Sequence, residues 1–223
     1  TYNNIKMKTI LRLFLDFYYH RNLLSVRQLI KLYKAENSNI EGKLVSIKFK
    51  RYNHPFWIRS RTSDTTIFRC VFLEKEYPII NKDTKVIIDA GANIGAASFF
   101  FKMHSPKVKI IAIEPDETNC EIYKLNMKHF SSVNIMQAAL HNEKGRFMKI
   151  ENPDASKYSF RMKISDSGVY TTSIDEIIKN NHISEIDIVK IDIEGGEKTV
   201  FEKNTKWLNI SKTVILELHD HYV

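Results

Sequence analysis

The stretch KVIIDAGANIGAASFFF, residues 85–101, places an apolar run that ends in Asp89 directly before Gly91 and Gly95. A Val/Ile run bounded by glycine is typical of a buried strand, and the apolar residues after Gly95 fit the start of a helix. Glycine permits the tight turn that this junction needs. In an open parallel sheet such a turn faces the ligand. The stretch therefore predicts a ligand-binding turn at the carboxyl end of a strand.

Apolar runs and amphipathic segments alternate through the rest of the chain. The runs that predict strands cover residues 85–89, 109–114, 133–138, 186–192 and 212–218. The segments that predict helices cover residues 94–104, 116–130, 173–181 and 197–204. Strands that read as continuous Val/Ile runs are expected where helices cover both faces of a sheet. We predict an α/β fold with a doubly wound, mostly parallel sheet.

The N-terminal part has a different pattern. Periodic apolar residues predict a helical segment over 5–34, broken near His20, and β-rich segments predict a short hairpin around residues 51–54. A further helix is predicted over residues 62–78, ending at Pro78. We therefore divide the chain into a basic N-terminal helical arm that includes the start of the hairpin, residues 1–50, and a main domain, residues 51–223.

The positive charge is concentrated at the N-terminus. Residues 1–60 contain twelve Lys and Arg and three Asp and Glu, whereas the remaining residues contain 22 basic and 23 acidic side chains. A nucleic-acid enzyme more often carries its basic surface around the active cleft, so we predict no nucleic-acid partner. Residues 1–35 have three interpretations: packing on their own domain, a homodimer interface, or peripheral contact with a membrane surface.

The spacing of the cysteines and the length of the apolar stretches indicate where in the cell the protein is located. Cys70 and Cys120 lack metal-ligand spacing, and no stretch reaches the ~20 apolar residues of a membrane span. No small-residue cleavage site follows the apolar run near the N-terminus. We predict a cytoplasmic protein with free thiols, and contact with the inner face of the membrane stays open.

Two carboxylates define the expected ligand. Asp89 ends the first strand of the sheet, where it suits the ammonium of an amino acid, and the following helix offers free amides. Glu114 ends the second strand, where a carboxylate can accept both hydroxyls of a ribose. S-adenosylmethionine carries both groups, so we predict it as the cofactor.

Seven blocks of the sequence together resemble the FkbM family of S-adenosylmethionine-dependent methyltransferases. They are TSDTTIFRCVFLEKEY, VIIDAGANIGAAS, IAIEPDETNCEIYKLN, QAALHNEKGRF, TTSIDEII, IVKIDIEGGEKTVF and ILELHDH. The similarity covers roughly residues 56–221, and KIDIEGGE is its most specific element. It implies a Rossmann-like class I methyltransferase fold and methyl transfer to an oxygen of a glycan or a polar secondary metabolite. RNA or protein methylation and a non-catalytic cofactor-binding scaffold are the alternatives.

The resemblance also implies the cofactor residues by position. The expected set is Asp89, Gly91, Asn93 and Gly95 for the methionine part, Glu114 and Pro115 for the ribose, Gln137 and Ala138 for the adenine, and Ser63, Asp64 and Tyr77 for closure over the cofactor.

A base is expected at the ends of the last two predicted strands. Methyl transfer requires a group that takes the acceptor proton, and we predict His219, Asp192 and Glu194 as catalytic candidates. The ordinary pKa of histidine, about 6.5, favours His219. A divalent cation held by Asp192, Glu194, Glu217 and His219 is the weaker alternative, so we predict no metal. Methyltransferases of this class usually continue into an antiparallel hairpin after the fifth strand, and we therefore expect a missing C-terminal end.

Overall fold

The computed structural model describes residues 2–77, 80–150 and 162–217. Only the backbone is described for residues 2–10, 150 and 162. The chain separates into two compact units, Thr1–Pro78 and Ile79–Val223. The boundary predicted after residue 50 falls inside the first unit, since the predicted hairpin and the helix after it belong to that unit.

The first unit combines three helices with a hairpin. Its elements are α1 (Tyr2–His20), α2 (Val26–Glu36), β1 (Leu44–Lys48), β2 (Pro55–Arg59) and α3 (Asp64–Phe68), the last continuing as a π-helical turn over Arg69–Leu73. The two strands pair antiparallel, as predicted. The helix expected to reach Pro78 ends at Leu73. Its hydrogen bonding changes from α-helical to π-helical at Arg69, and residues 74–77 are not helical.

Aromatic packing and a buried guanidinium hold this unit together. Phe49, Phe56, Phe68 and Phe72 are buried and their ring centroids lie 4.9 to 6.0 Å apart. Arg69 pairs with acids from both N-terminal helices. Its Nη1 lies 2.9 Å from Asp16 Oδ2 on α1, and its Nε contacts Glu36 Oε1 on α2.

The two N-terminal helices differ in burial. Leu29, Leu32 and Ala35 of α2 are buried, as expected for packing on its own domain. On α1, Phe14 is 63% exposed and Tyr18 55% exposed. No helix among the described residues combines the length and apolar character needed to span a bilayer.

The second unit contains the predicted doubly wound sheet. Its five strands are β3 (Val86–Ala90), β4 (Lys109–Glu114), β5 (Val133–Gln137), β10 (Ile186–Ile191) and β11 (Ser211–Leu216), in the order β11-β10-β3-β4-β5. All four strand pairs are parallel. The helices between them are α4 (Ala96–His104), α5 (Glu117–Met127), α6 (Ile174–Asn181) and α7 (Glu197–Glu202). The carboxyl ends of the strands therefore meet at one edge of the sheet.

Buried aliphatic side chains form the core of this sheet. Ile88, Ile111, Val189 and Ile191 are at most 1% exposed and pack with Trp207, which lies in a 3-10 turn before β11. Ser173 caps α6 as predicted, because its hydroxyl accepts a hydrogen bond from the Glu176 amide at 3.2 Å.

The structure adds a second small sheet that the sequence patterns did not predict. It consists of β6 (Ala139–Leu140), β7 (Phe147–Ile150), β8 (Met162–Ser165) and β9 (Val169–Thr172), in the order β6-β9-β7-β8. These strands have two to four residues, and several of their large apolar side chains are exposed, such as Ile164 and Tyr170. Strands of two to four residues are too short to contain the apolar runs on which strand prediction depends.

Candidate active site

The glycine loop between β3 and α4 is built by close contacts within the chain. Gly91 has φ +72, and a Cβ there would lie 1.6 Å from the Asp192 carbonyl oxygen. Gly95 has φ +87, and a Cβ would lie 2.9 Å from the Tyr123 ring. The Gly91 amide donates to the Ile113 carbonyl. These glycines are therefore required by neighbouring parts of the protein itself, a reason that differs from the ligand approach expected from the sequence.

Asp89 lies completely buried beneath this loop. Its Oδ2 accepts a hydrogen bond from the Ser98 hydroxyl at 2.6 Å, and Ser98 Oγ accepts one from Tyr123 at 2.9 Å. Its Oδ1 has no hydrogen-bond partner and lies 3.4 Å from Lys190 Nζ. Burial and the nearby Asp89 charge hold the pKa of Tyr123 well above its usual value, so the phenol stays a donor.

Lys190 links the loop to the carboxyl end of β10, a role that the sequence did not assign to it. Its Nζ donates to the carbonyl of Gly91 at 2.7 Å and to that of Ala90 at 3.2 Å. The same nitrogen lies 3.4 Å from both Asp89 Oδ1 and Asp192 Oδ2. The available signal was the alternation in KIDIEGGE, which puts this lysine on one strand face with two acids. One ammonium thus supports the turn and lies between two carboxylates, so that this group of three side chains carries one net negative charge when both acids are ionised.

Glu114 organises the turn after β4. Its Oε2 accepts a hydrogen bond from the Asn93 amide at 2.8 Å, and its Oε1 accepts from the Asp116 amide at 3.0 Å and the Asn119 side chain at 3.2 Å. Burial raises the pKa of Glu114 to about 7, against these hydrogen bonds, which lower it. A carboxylate has about four acceptor sites. With three donors in place, Oε2 retains room for about one more.

Of the predicted acids that follow β10, Asp192 lies against the glycine loop. The Asp192 amide donates to the Ala90 carbonyl at 3.2 Å, and the Asp192 side chain is 25% exposed. Glu194 is half-buried and has φ +55, a strained conformation for a residue with a side chain. Glu197 stabilises the turn before α7, because its carboxylate accepts a hydrogen bond from the Ile193 amide at 3.2 Å.

Glu217, which the metal alternative includes, follows β11 directly. Glu217 is exposed and its amide donates to the Ile191 carbonyl. His219 lies outside the described residues. Within residues 2–77, 80–150 and 162–217, no three His, Cys, Asp or Glu side chains are grouped to hold a metal ion. The metal-free mechanism and the role of His219 stay predictions.

The residues predicted for the adenine lie at the end of β5, next to Glu114: Gln137 is the last residue of the strand and Ala138 follows it. Gln137 is exposed and pairs with Glu114 in the register of β4 and β5. Ala138 is buried, and its amide donates to the Glu114 carbonyl at 3.2 Å. Pro115 is half-buried. The predicted ribose and adenine residues are thus neighbours in the sheet.

Three of the predicted cofactor residues belong to the first unit. Asp64 is fully buried, and its carboxylate accepts from the backbone amide and the guanidinium of Arg59 at 2.7 to 2.8 Å. Ser63 precedes α3 and makes no capping hydrogen bond with its side chain. Tyr77 is buried. These contacts give Asp64 a structural role in its own unit, and cofactor contact by the three residues stays a prediction.

Comparisons with known proteins agree with this arrangement. NoeI, a 2-O-methyltransferase of Sinorhizobium fredii, is 22% identical over 81% of this chain and 80% of its own length. AglP, a hexuronic acid methyltransferase of Haloferax volcanii, is 24% identical over 73% of this chain and 65% of its own length. A solved methyltransferase of Geobacter sulfurreducens has a TM-score of 0.29 at 13% identity and 56% coverage of each chain, a likeness too low to carry an argument. A family model described as the methyltransferase FkbM domain matches residues 89–222, which is more than half of the sequence. The chain therefore belongs to the FkbM family and is a methyltransferase that uses S-adenosylmethionine.

Proposed function

We propose that this protein transfers a methyl group to a hydroxyl oxygen of a sugar, either in a glycan or in a polar secondary metabolite. The observation that carries the proposal is Asp192, which follows β10 and contacts the glycine loop of an FkbM domain, with Glu194 two residues later. The relatives named above support the choice of acceptor, because one is described as a 2-O-methyltransferase and the other as a hexuronic acid methyltransferase.

The side chains around the strand ends have the chemistry that the cofactor requires. Glu114 has room on Oε2 for about one further donor, which a ribose hydroxyl would supply. Gln137 is exposed next to it and offers an amide to the adenine. We assign the methionine part to the turn that contains Gly91, Asn93 and Gly95. Asp89 is fully buried, so we assign it no direct contact with the cofactor. It contributes its negative charge from beneath this turn.

The protein must orient the acceptor hydroxyl and take its proton. The bound cofactor supplies an electrophilic methyl group on a positively charged sulfur. Glu114 and the turn that contains Gly91 would hold this cofactor, and its C–S bond would break, with the electron pair staying on sulfur, as the acceptor oxygen takes the methyl group. The acceptor proton passes to a base, for which we propose His219, with Asp192 and Glu194 as the other candidates. Lys190 Nζ lies 3.4 Å from Asp192 Oδ2 and fixes the position of this carboxylate beside the turn.

A transfer assay tests this function. The protein is incubated with methyl-labelled S-adenosylmethionine and a panel of purified glycans, and fragment mass spectra locate the label. The expected result is label on a ring hydroxyl oxygen of a sugar. Label found only on a protein, on RNA or on a nitrogen would reject the proposed acceptor class and leave the family assignment in place.

A further inference from the structure

The first unit contains a groove between α2 and the hairpin, which we call the lysine groove. Its volume is about 310 Å³. The residues that line it are Lys31, Lys34, Ala35, Ser38, Lys43, Leu44, Val45, Ser46, Trp57 and Ser60. Three of these are basic and none is acidic. The groove is therefore a concave surface with a positive charge.

The local structure explains why these side chains face one another. Lys31 and Lys34 lie three positions apart on α2 and share a side of the helix. On the hairpin, Ser46 and Trp57 are directly opposite in the strand register, so both project from the same face. Their neighbours on the other face, such as Phe56, are fully buried in the core. One wall of the groove is thus helical and basic, and the other is a strand pair that carries an indole.

The lysines of the groove contact no acid among the residues that the structure describes. No carboxylate forms an ion pair with Lys31, Lys34 or Lys43 in the part of the chain that the structure describes. Lys31 Nζ instead donates to the backbone carbonyl of Ser46 at 2.5 Å and to the Ser46 hydroxyl at 3.1 Å. Partial burial and the charges of Arg27 and Lys48 lower the pKa of Lys31. An anion in the groove would relieve this repulsion between like charges.

The serines and the tryptophan that line the groove indicate which kind of molecule would bear the negatively charged group. Binding sites for small molecules have volumes of roughly 300–1,000 Å³ and join aromatic side chains with a few polar groups. A sugar ring has a C–H face that packs on an indole and hydroxyls that bond to serines, and its acidic substituent would pair with lysines. We propose that the lysine groove binds an acidic saccharide. This inference goes beyond methyl transfer, because the groove lies within the first unit and its binding needs no cofactor.

Tryptophan fluorescence provides a direct test. The chain has two tryptophans, and Trp207 is only 2% exposed in the second unit, so a ligand in the groove should alter the emission of Trp57. Full-length protein without cofactor is titrated with a short oligogalacturonate and, separately, with a neutral maltooligosaccharide of the same length. The expected result is saturable binding of the acidic sugar alone. The Trp57→Phe variant should lose the fluorescence change.

Matched charge variants separate the groove from the overall basic charge. Lys34→Gln with Lys43→Gln should weaken binding of the oligogalacturonate by about tenfold or more, because charged hydrogen bonds are lost. Lys179→Gln with Lys198→Gln removes the same charge from exposed positions of the second unit and should leave the affinity unchanged.

Several results would overturn the inference. They are the absence of saturable binding at low salt, equal binding of the neutral sugar, equal weakening in both charge variants, and full competition by inorganic phosphate. Binding of vesicles with anionic lipids in place of the saccharide would assign the groove to a membrane surface instead. Because no methyl transfer is measured, none of these results depends on the proposed acceptor.

Discussion

Replacing Lys190 with methionine tests the buried ion pair beneath the glycine loop. The lysine side chain is 4% exposed and Asp89 is 0% exposed, with 3.4 Å between Nζ and Oδ1. Removing one partner of a buried pair costs about 3–5 kcal/mol, because the other charge stays buried without compensation. The carbonyls of Ala90 and Gly91 also lose their donor. We expect Lys190→Met to lower the free energy of unfolding by about 3–5 kcal/mol, measured by urea denaturation followed by circular dichroism.

A double-mutant cycle and an exposed control isolate the cause. Asp89→Asn in the Lys190→Met background should recover part of the loss, with a coupling free energy of about 2 kcal/mol. Lys144→Met breaks the ion pair to Glu176, whose lysine side chain is 65% exposed, and should cost about 1 kcal/mol or less. If Lys190→Met costs no more than Lys144→Met, the ammonium does not hold the loop.

Three other predictions address the loop, the ribose carboxylate and the base. Gly91→Ala should destabilise the protein by about 2 kcal/mol or more, because it adds a backbone clash to the strain of φ +72, whereas Gly42→Ala at φ +74 meets nothing within 4 Å and should cost about 1 kcal/mol; equal losses in thermal or urea unfolding would contradict the clash. Because the folded pKa of Glu114 is raised from 4.5 to about 7, its contribution to stability is fully present below pH 4.5 and is lost as the pH rises through 7; the unfolding free energy of the native protein should fall by about 3 kcal/mol over this range relative to Glu114→Gln, and parallel pH profiles would refute the burial effect. His219→Asn should lower turnover by about 100-fold with nearly unchanged cofactor affinity, and full turnover in that variant would transfer the role of base to Asp192 or Glu194.

The central sheet could be predicted from the sequence, because each of its strands is an apolar run with a clear boundary. β3 and β4 were predicted to within about one residue, since Val/Ile runs end there in an acid or a glycine turn. Strands β6 to β9 could not be predicted, because short segments with exposed faces do not differ in pattern from loops.

The sequence predicted where the residues of the candidate site lie in the sheet, but it did not predict which side chains they contact. Asp89 and Glu114 were expected at strand ends, and the structure has them there. That Asp89 is buried beneath the loop depends on Lys190 and Ser98, which come from different parts of the chain and meet only in the folded protein. The reason for Gly91 is likewise tertiary, because its neighbour is the carbonyl of Asp192. Local sequence patterns carry no information about such distant contacts.

A crystal structure of the protein with bound S-adenosylhomocysteine tests the central claim most directly. We predict that the ligand lies at the carboxyl edge of the sheet, with a ribose hydroxyl donating to Glu114 Oε2 and the amino-acid end beside the turn at Gly91. The adenine should lie near Gln137. A ligand bound elsewhere in the molecule, or a ribose that makes no contact with Glu114, would contradict the proposed cofactor site.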